Sequence, residues 1–98
     1  MEIDYNTFIK NNMKVIDLRD EKKFEINHFK NSINVEFTKL IVYPEKYLHK
    51  DTTYLLVCDY GITSKKTSVI LNNQGYKTYS LKGGMEYLNK WKMVDFIL

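Results

Sequence analysis

One cysteine and one proline stand among 98 residues, glycine occurs four times, and no apolar run approaches the roughly 20 residues needed to span a bilayer. Each scarcity closes a class of explanation. A lone cysteine cannot form an internal disulfide, and no cysteine pair or His/Cys cluster has metal-site spacing. A reducing cytoplasm is then the natural setting, with no metal and no cofactor called for. The N-terminus, Met1-Glu2-Ile3-Asp4, lacks the basic-then-apolar pattern of a signal peptide. A strong excess of one charge is missing too. The net charge is +3, and the bases come in short pairs, Lys22-Lys23 and Lys65-Lys66, so a nucleic-acid surface is only weakly signalled. Most read as a solvated face, with Lys65-Lys66, in the first turn of the helix after Cys58, kept open as an attractor of anions. Repeats, low-complexity tracts and linkers are absent, and Pro44 falls in a connecting segment. The expectation is one soluble, monomeric domain over residues 1–98, with no membrane or nucleic-acid partner.

What is present supplies a core. Hydrophobic residues make up 44% of the chain, eight tyrosines and five phenylalanines among them, enough for one compact domain. Asp4 can cap a short helix over Tyr5 to Lys10, with Tyr5, Phe8 and Ile9 spaced for one buried face. Met13 to Leu18 reads as a buried strand. Asp20 is the next N-cap, for a helix from Glu21 to about Ile26 that buries Phe24, and a loop over Asn27 to Ser32 follows. Ile33 to Val35 is a short strand, and Phe37 to Tyr47 a poorly defined, partly helical connection interrupted at Pro44. Tyr54 to Cys58 is the clearest strand, continuously apolar as expected when both faces of a parallel sheet are covered. Ser64 can cap a helix running to about Asn73, and Gly75 suits the position beyond its end. Lys77 to Leu81 gives another strand, and Gly83-Gly84 a turn into a last helix carrying Met85, Tyr87, Leu88 and Trp91. Strands alternating with helices predict an α/β fold with a mainly parallel sheet of four to five strands and helices on both faces. In such folds the site lies at the carboxyl ends of the strands, where Cys58 falls.

That cysteine is the chemical centre of the chain. Cys58-Asp59-Tyr60-Gly61-Ile62-Thr63-Ser64 reads as strand, tight loop, then helix. A loop of this kind turns successive N–H groups inward and adds the positive end of a helix dipole, which stabilises an anion. A thiolate is such an anion and is the nucleophilic form of cysteine. The opposing reading is a buried core cysteine, since free cysteine is among the most buried residue types. The glycine-containing loop and the bases after it favour the reactive reading.

Several segments together resemble a single-domain rhodanese, a sulfurtransferase family. Val15-Ile16-Asp17-Leu18-Arg19-Asp20, Phe24 and Asn27-His28-Phe29-Lys30-Asn31-Ser32-Ile33-Asn34-Val35 are similar to that family's strand, Asp-x-Arg and Gly-His-Ile-Pro-Gly-Ala-x-Asn segment. Tyr54 to Ser64 is similar to its apolar strand and Cys-x-x-Gly-x-Arg-Ser loop, and Tyr79 to Gly84 with Trp91 to its closing Leu-x-Gly-Gly-x-x-x-Trp element. The resemblance implies the rhodanese three-layer sandwich. Asn27 and Asn31 replace glycines, and asparagine best tolerates positive φ among the other residues. His28 reads as structural, and Asp17 with Arg19 as an ion pair or loop-fixing contacts near the site. Thr63 stands where many active members carry arginine, so an anionic donor such as thiosulfate loses a planar charged fork. Anion binding then rests on the loop N–H groups, the dipole and Lys65 or Lys66.

The resemblance implies a mechanism as well. Cys58 takes the outer sulfur of a small donor, thiosulfate or a persulfide, and passes it to a thiophilic acceptor, a small thiol or a protein cysteine. Asp59, Tyr60, Gly61, Ile62, Thr63 and Ser64 form the substrate-binding loop, their N–H groups stabilising terminal sulfur, with Tyr60 and Ile62 at the pocket mouth. Asp59 is expected to point away or to accept hydrogen bonds within the loop. A partner-binding or sulfur-relay module is the alternative that Thr63 supports. Phosphatase or arsenate reductase chemistry of the related cell-cycle phosphatases is disfavoured, because Ser64 falls where those enzymes place their arginine.

Overall fold

Five parallel strands organise the chain. The computed structural model describes residues 1–90; Trp91 and the side chain of Ile9 lie outside the described residues. The strands β1 (Glu2–Ile3), β2 (Lys14–Asp17), β3 (Ile33–Asn34), β4 (Thr53–Val57) and β5 (Lys77–Leu81) form one sheet in the order β1-β5-β4-β2-β3. Every pairing is parallel, with Ile16 opposite Leu56 and Leu56 opposite Ser80 across the centre.

Parallel strands need crossovers, and the helices supply them. They are α1 (Tyr5–Ile9), α2 (Glu21–Ile26), α3 (Phe37–Val42), α4 (Ile62–Asn73) and α5 (Gly84–Lys90), with a 3-10 turn at Pro44–Lys46. Side chains alternate faces along β4. Tyr54, Leu56 and Cys58 join Leu40 of α3 and Leu71 of α4 in one core, while Leu55 and Val57 join Phe8 of α1 and Met85 and Leu88 of α5 in the other. The sheet is the middle of three layers. Because β4 is buried on both faces, each of its leucines stabilises the fold by about 1.5–3 kcal/mol relative to exposure.

The helix starts at Asp4 and Asp20 are as the sequence implies. Asp4 accepts from the Thr7 N–H at 2.7 Å and Asp20 from the Lys23 N–H at 2.9 Å. The Thr7 N–H holds the Asp4 carboxyl below its ordinary value. Other expectations shift. The two-residue edge strand β1 carries no alternation long enough to read, and the segment after Val35 is a true helix, α3, anchored by the buried Leu40. Helix α2 buries none of its residues, and Phe24 is half-buried, stacked on the His28 ring at a centroid distance of 4.0 Å. Asn31 takes the left-handed backbone expected of it, at φ 63°. Asn27 does not: at φ −158° it is extended, and its carbonyl instead receives the Arg19 guanidinium. No helix of the described residues is long and apolar enough to cross a membrane.

Candidate active site

Strand β4 ends at Val57 and α4 begins at Ile62, so four residues, Cys58 to Gly61, turn the chain at the carboxyl edge of the sheet. Gly61, not Ser64, is the N-cap of α4. Its φ of 88° is left-handed, and a Cβ there would stand 3.1 Å from the Gly83 nitrogen and the Leu81 oxygen. The helix thus opens three residues before the expected cap, which puts Ser64 in its first turn with an N–H free of any helical acceptor.

That N–H is turned onto sulfur. Cys58 Sγ accepts from the Gly61 N–H at 3.1 Å and from the Ser64 N–H at 3.3 Å, and lies 3.3 Å from Ser64 Oγ. Ser64 Oγ in turn sits 2.6 Å from Ser80 Oγ on β5. The burial expected of a core cysteine and the N–H cradle expected of the loop occur together. Cys58 is buried, 6% exposed, and belongs to a hydrophobic core, yet its sulfur is surrounded by donors suited to an anion.

The loop carbonyls are tied back from the far end of the chain. The first turn of α5 donates from Met85 N–H to the Cys58 carbonyl and from Glu86 N–H to the Asp59 carbonyl, each at 2.9 Å. Gly84 makes that approach possible: a Cβ on it would lie 2.5 Å from both carbonyl oxygens. With the carbonyls held outward by α5, the N–H groups are left to face Sγ.

A pocket of about 250 Å³ opens over Cys58, lined by Arg19, Asp59, Tyr60, Ile62 and Thr63. Tyr60 and Ile62 are exposed at its mouth, 66% and 63% accessible. Thr63 is exposed and uncharged. Asp59 turns outward to Lys23 of α2, Oδ2 to Nζ at 2.9 Å, while its buried Oδ1 has no hydrogen-bond partner among the described residues. The Asp59 carboxylate holds Lys23 above the ordinary lysine value. Lys23 remains exposed, as expected of a solvated pair.

Arg19 is the one arginine of the chain, and its charge is already engaged. Its side chain, 4% exposed, pairs with the fully buried Asp17, Nη2 to Oδ2 at 2.8 Å, and donates to the Asn27 carbonyl at 2.7 Å. Asn34 donates to the carbonyls of Asp17 and Arg19, completing a fixed wall. The ion pair was foreseen; its place as a pocket wall follows from the β2–β4 pairing. Lys65 does not line the pocket, and its ammonium lies 3.5 Å from Glu2 of β1. His28 stacks on Phe24, its Nδ1 2.7 Å from the Phe24 carbonyl, in keeping with a structural role.

Sequence reasoning missed Ser80 and the α5 clamp. The only signal for either was the Ser80–Gly84 segment, whose meaning depends on β5 lying beside β4.

Comparison with known proteins agrees with this fold. A family model described as the rhodanese-like domain matches residues 5–91. The thiosulfate sulfurtransferase GlpE of Coxiella burnetii is 36% identical over 84 residues, which cover 85% of this chain and 75% of that protein. The tRNA uridine(34) hydroxylase of Prochlorococcus marinus is 33% identical over 99 residues, 89% of this chain but 32% of its own length. A rhodanese-related protein of Thermoplasma volcanium superposes with a TM-score of 0.83 at 22% identity, covering 99% of this chain and 96% of that one. At that identity the structural likeness speaks for the fold.

Proposed function

Because the chain belongs to the rhodanese-like domain family, we propose that it is a sulfurtransferase that carries one sulfane sulfur on Cys58. The observation supporting this reading is the sulfur itself, within hydrogen-bond distance of two main-chain N–H groups and a hydroxyl, at the floor of an open pocket.

The reaction balances without a redox partner. Cys58 thiolate attacks the outer sulfur of a donor; the donor's S–S bond breaks, and its electron pair leaves with sulfite from thiosulfate or with a thiolate from a persulfide. The Cys58 persulfide then meets a thiophilic acceptor, cyanide, a small thiol or a protein cysteine, which takes the terminal sulfur while the bond pair returns to Cys58 Sγ. The N–H groups of Ile62 and Thr63, in the first turn of α4, have no intrahelical acceptor and are the natural donors to the added sulfur anion. The domain acts as a monomer on a small donor, and Asp59 and Tyr60 shape the entrance with Ile62 and Thr63.

A second reading, a sulfur relay fed by a protein or small-molecule persulfide, is favoured by Thr63 and by the engagement of Arg19 with Asp17. One experiment addresses both. The protein is incubated with thiosulfate or with a small persulfide, and its intact mass is recorded. A gain of one sulfur atom, removed by cyanide and absent in Cys58→Ser, is expected. Uptake from the persulfide alone selects the relay, and uptake from neither overturns sulfur transfer and leaves a binding module.

A further inference from the structure

The donors on Cys58 do not end at Ser64. Behind Ser64 Oγ stands Ser80 Oγ at 2.6 Å, and behind that the Gly61 carbonyl at 3.4 Å. Ser64 and Ser80 have no solvent exposure, so their hydroxyl protons have only each other, the sulfur and that carbonyl to bond with. The chain has two complete arrangements. With Cys58 protonated, S–H donates to Ser64 Oγ, the Ser64 hydroxyl to Ser80 Oγ, and the Ser80 hydroxyl to the Gly61 carbonyl. With Cys58 ionised, the Ser64 hydroxyl rotates to donate to the thiolate, and the Ser80 hydroxyl rotates to donate to Ser64 Oγ. The Gly61 carbonyl is not orphaned by the change, because it also accepts from the Lys65 N–H at 3.3 Å.

We propose that Ser80 is a positioning residue for the nucleophile: its hydroxyl reverses direction with the charge on Cys58 and strengthens the Ser64 donor when the thiolate forms. This rests on the reading of Cys58 as a thiolate nucleophile, though not on any particular sulfur donor. The thiolate form holds two hydrogen bonds in series toward a negative charge, and such chains polarise one another. Removing Ser80 takes from the neutral form the Ser64–Ser80 hydrogen bond and the long final link to Gly61. From the ionised form it takes the donor that polarises the Ser64 hydroxyl toward a full negative charge. A chain directed at a charge is the stronger one, so the ionised form loses more. Ser80 thus favours the ionised form.

Other charges near Cys58 are held by their own partners. Arg19 is paired with Asp17 at the end of β2, Asp59 with Lys23 of α2, and Lys65 of α4 with Glu2 of β1. The Tyr60 phenol stands exposed at the pocket mouth, and Lys66 and Glu86 are exposed on α4 and α5. The hydroxyl pair is the one neutral network that reaches the sulfur among the described residues.

A built-in control lies farther along the same α4–β5 seam. Ser68 Oγ and Thr78 Oγ1 form a second buried hydroxyl pair at 2.8 Å, away from Cys58. The test measures alkylation by iodoacetamide, an uncharged reagent, from pH 5 to 10. Ser80→Ala should move the midpoint of the alkylation–pH profile upward by roughly half a pH unit. Ser68→Ala should leave it in place, and Ser64→Ala should raise it by about one unit. In the Ser64→Ala background, adding Ser80→Ala should do nothing further. An unmoved midpoint in Ser80→Ala, an equal shift in Ser68→Ala, or a Ser80 effect that persists without Ser64 overturns the proposal. Should Ser80→Ala fail to fold, the unsubstituted protein decides: the Ser80 13Cβ resonance should titrate with the alkylation midpoint while that of Ser68 stays still, and a silent Ser80 overturns it. Alkylation needs no sulfur donor, so failure here is distinct from failure of sulfur uptake.

Discussion

At the scale of single residues, Thr63 bears most on the function proposed for the pocket. It lines the cavity over Cys58 with no charge, and the chain's one arginine is fixed on Asp17 and Asn27. A doubly charged donor such as thiosulfate therefore meets N–H groups but no guanidinium. Replacing Thr63 by arginine offers a bidentate, charge-assisted contact, and such contacts contribute about 1.5–3 kcal/mol. The expected outcome is a rise of about tenfold or more in kcat/KM for thiosulfate, with little change for an uncharged persulfide donor. Turnover that stays level or falls would remove anion binding as the meaning of Thr63. The loop around Cys58 was the most readable part of the candidate site, because its residues are contiguous. Ser80 was not readable: its partner lies 16 positions away, and only the pairing of Leu56 with Ser80 brings the two strands' ends to one place.

At the scale of elements, the turn from β5 into α5 holds the cysteine loop from behind. The N–H groups of Met85 and Glu86 hold the carbonyls of Cys58 and Asp59, and Gly84 is the residue whose missing side chain allows the contact. Gly84→Ala sets a methyl group at 2.5 Å from two backbone oxygens in a left-handed conformation. Backbone cannot yield as a flexible side chain can, so a loss of about 2–4 kcal/mol in unfolding free energy is expected from urea titration. Any fully folded remainder should show slowed alkylation of Cys58. A variant with unchanged stability and unchanged thiol reactivity would contradict the clamp. Long elements were readable for the usual physical reason: β4 is continuously apolar, and α4 spans three turns. The cap of α4 was misplaced because serine is a common N-cap, whereas the left-handed Gly61 is selected by the closeness of Gly83, a tertiary fact. Asn27 was misassigned similarly, since its backbone is set by the Arg19 guanidinium and not by a tight turn.

For the molecule as a whole, the alternation of strands and helices was enough to imply the layered parallel sheet, but the order of its strands was not. That order puts β4 at the centre between β5 and β2, so both cores share it. No part of the described chain has a core that avoids the central sheet, and the marginal stability of a domain this size leaves little room for independent pieces. Unfolding in urea should therefore be a single transition, with far-ultraviolet circular dichroism and tyrosine fluorescence giving coincident midpoints. Separated midpoints would show that one face can come apart while the other stands.

The cradle of Gly61 and Ser64 N–H groups has an implication for how such a protein changes over generations. Main-chain donors carry no record of which side chain is attached beside them, so alterations at positions 59, 60, 62 and 63 redraw the entrance while leaving the seat of the sulfur intact. On the function proposed, the side chains at the entrance and the main-chain groups that hold the sulfur stand on separate parts of one short loop. The first can be altered without moving the second, which is anchored by a glycine on the far side of the sheet's edge.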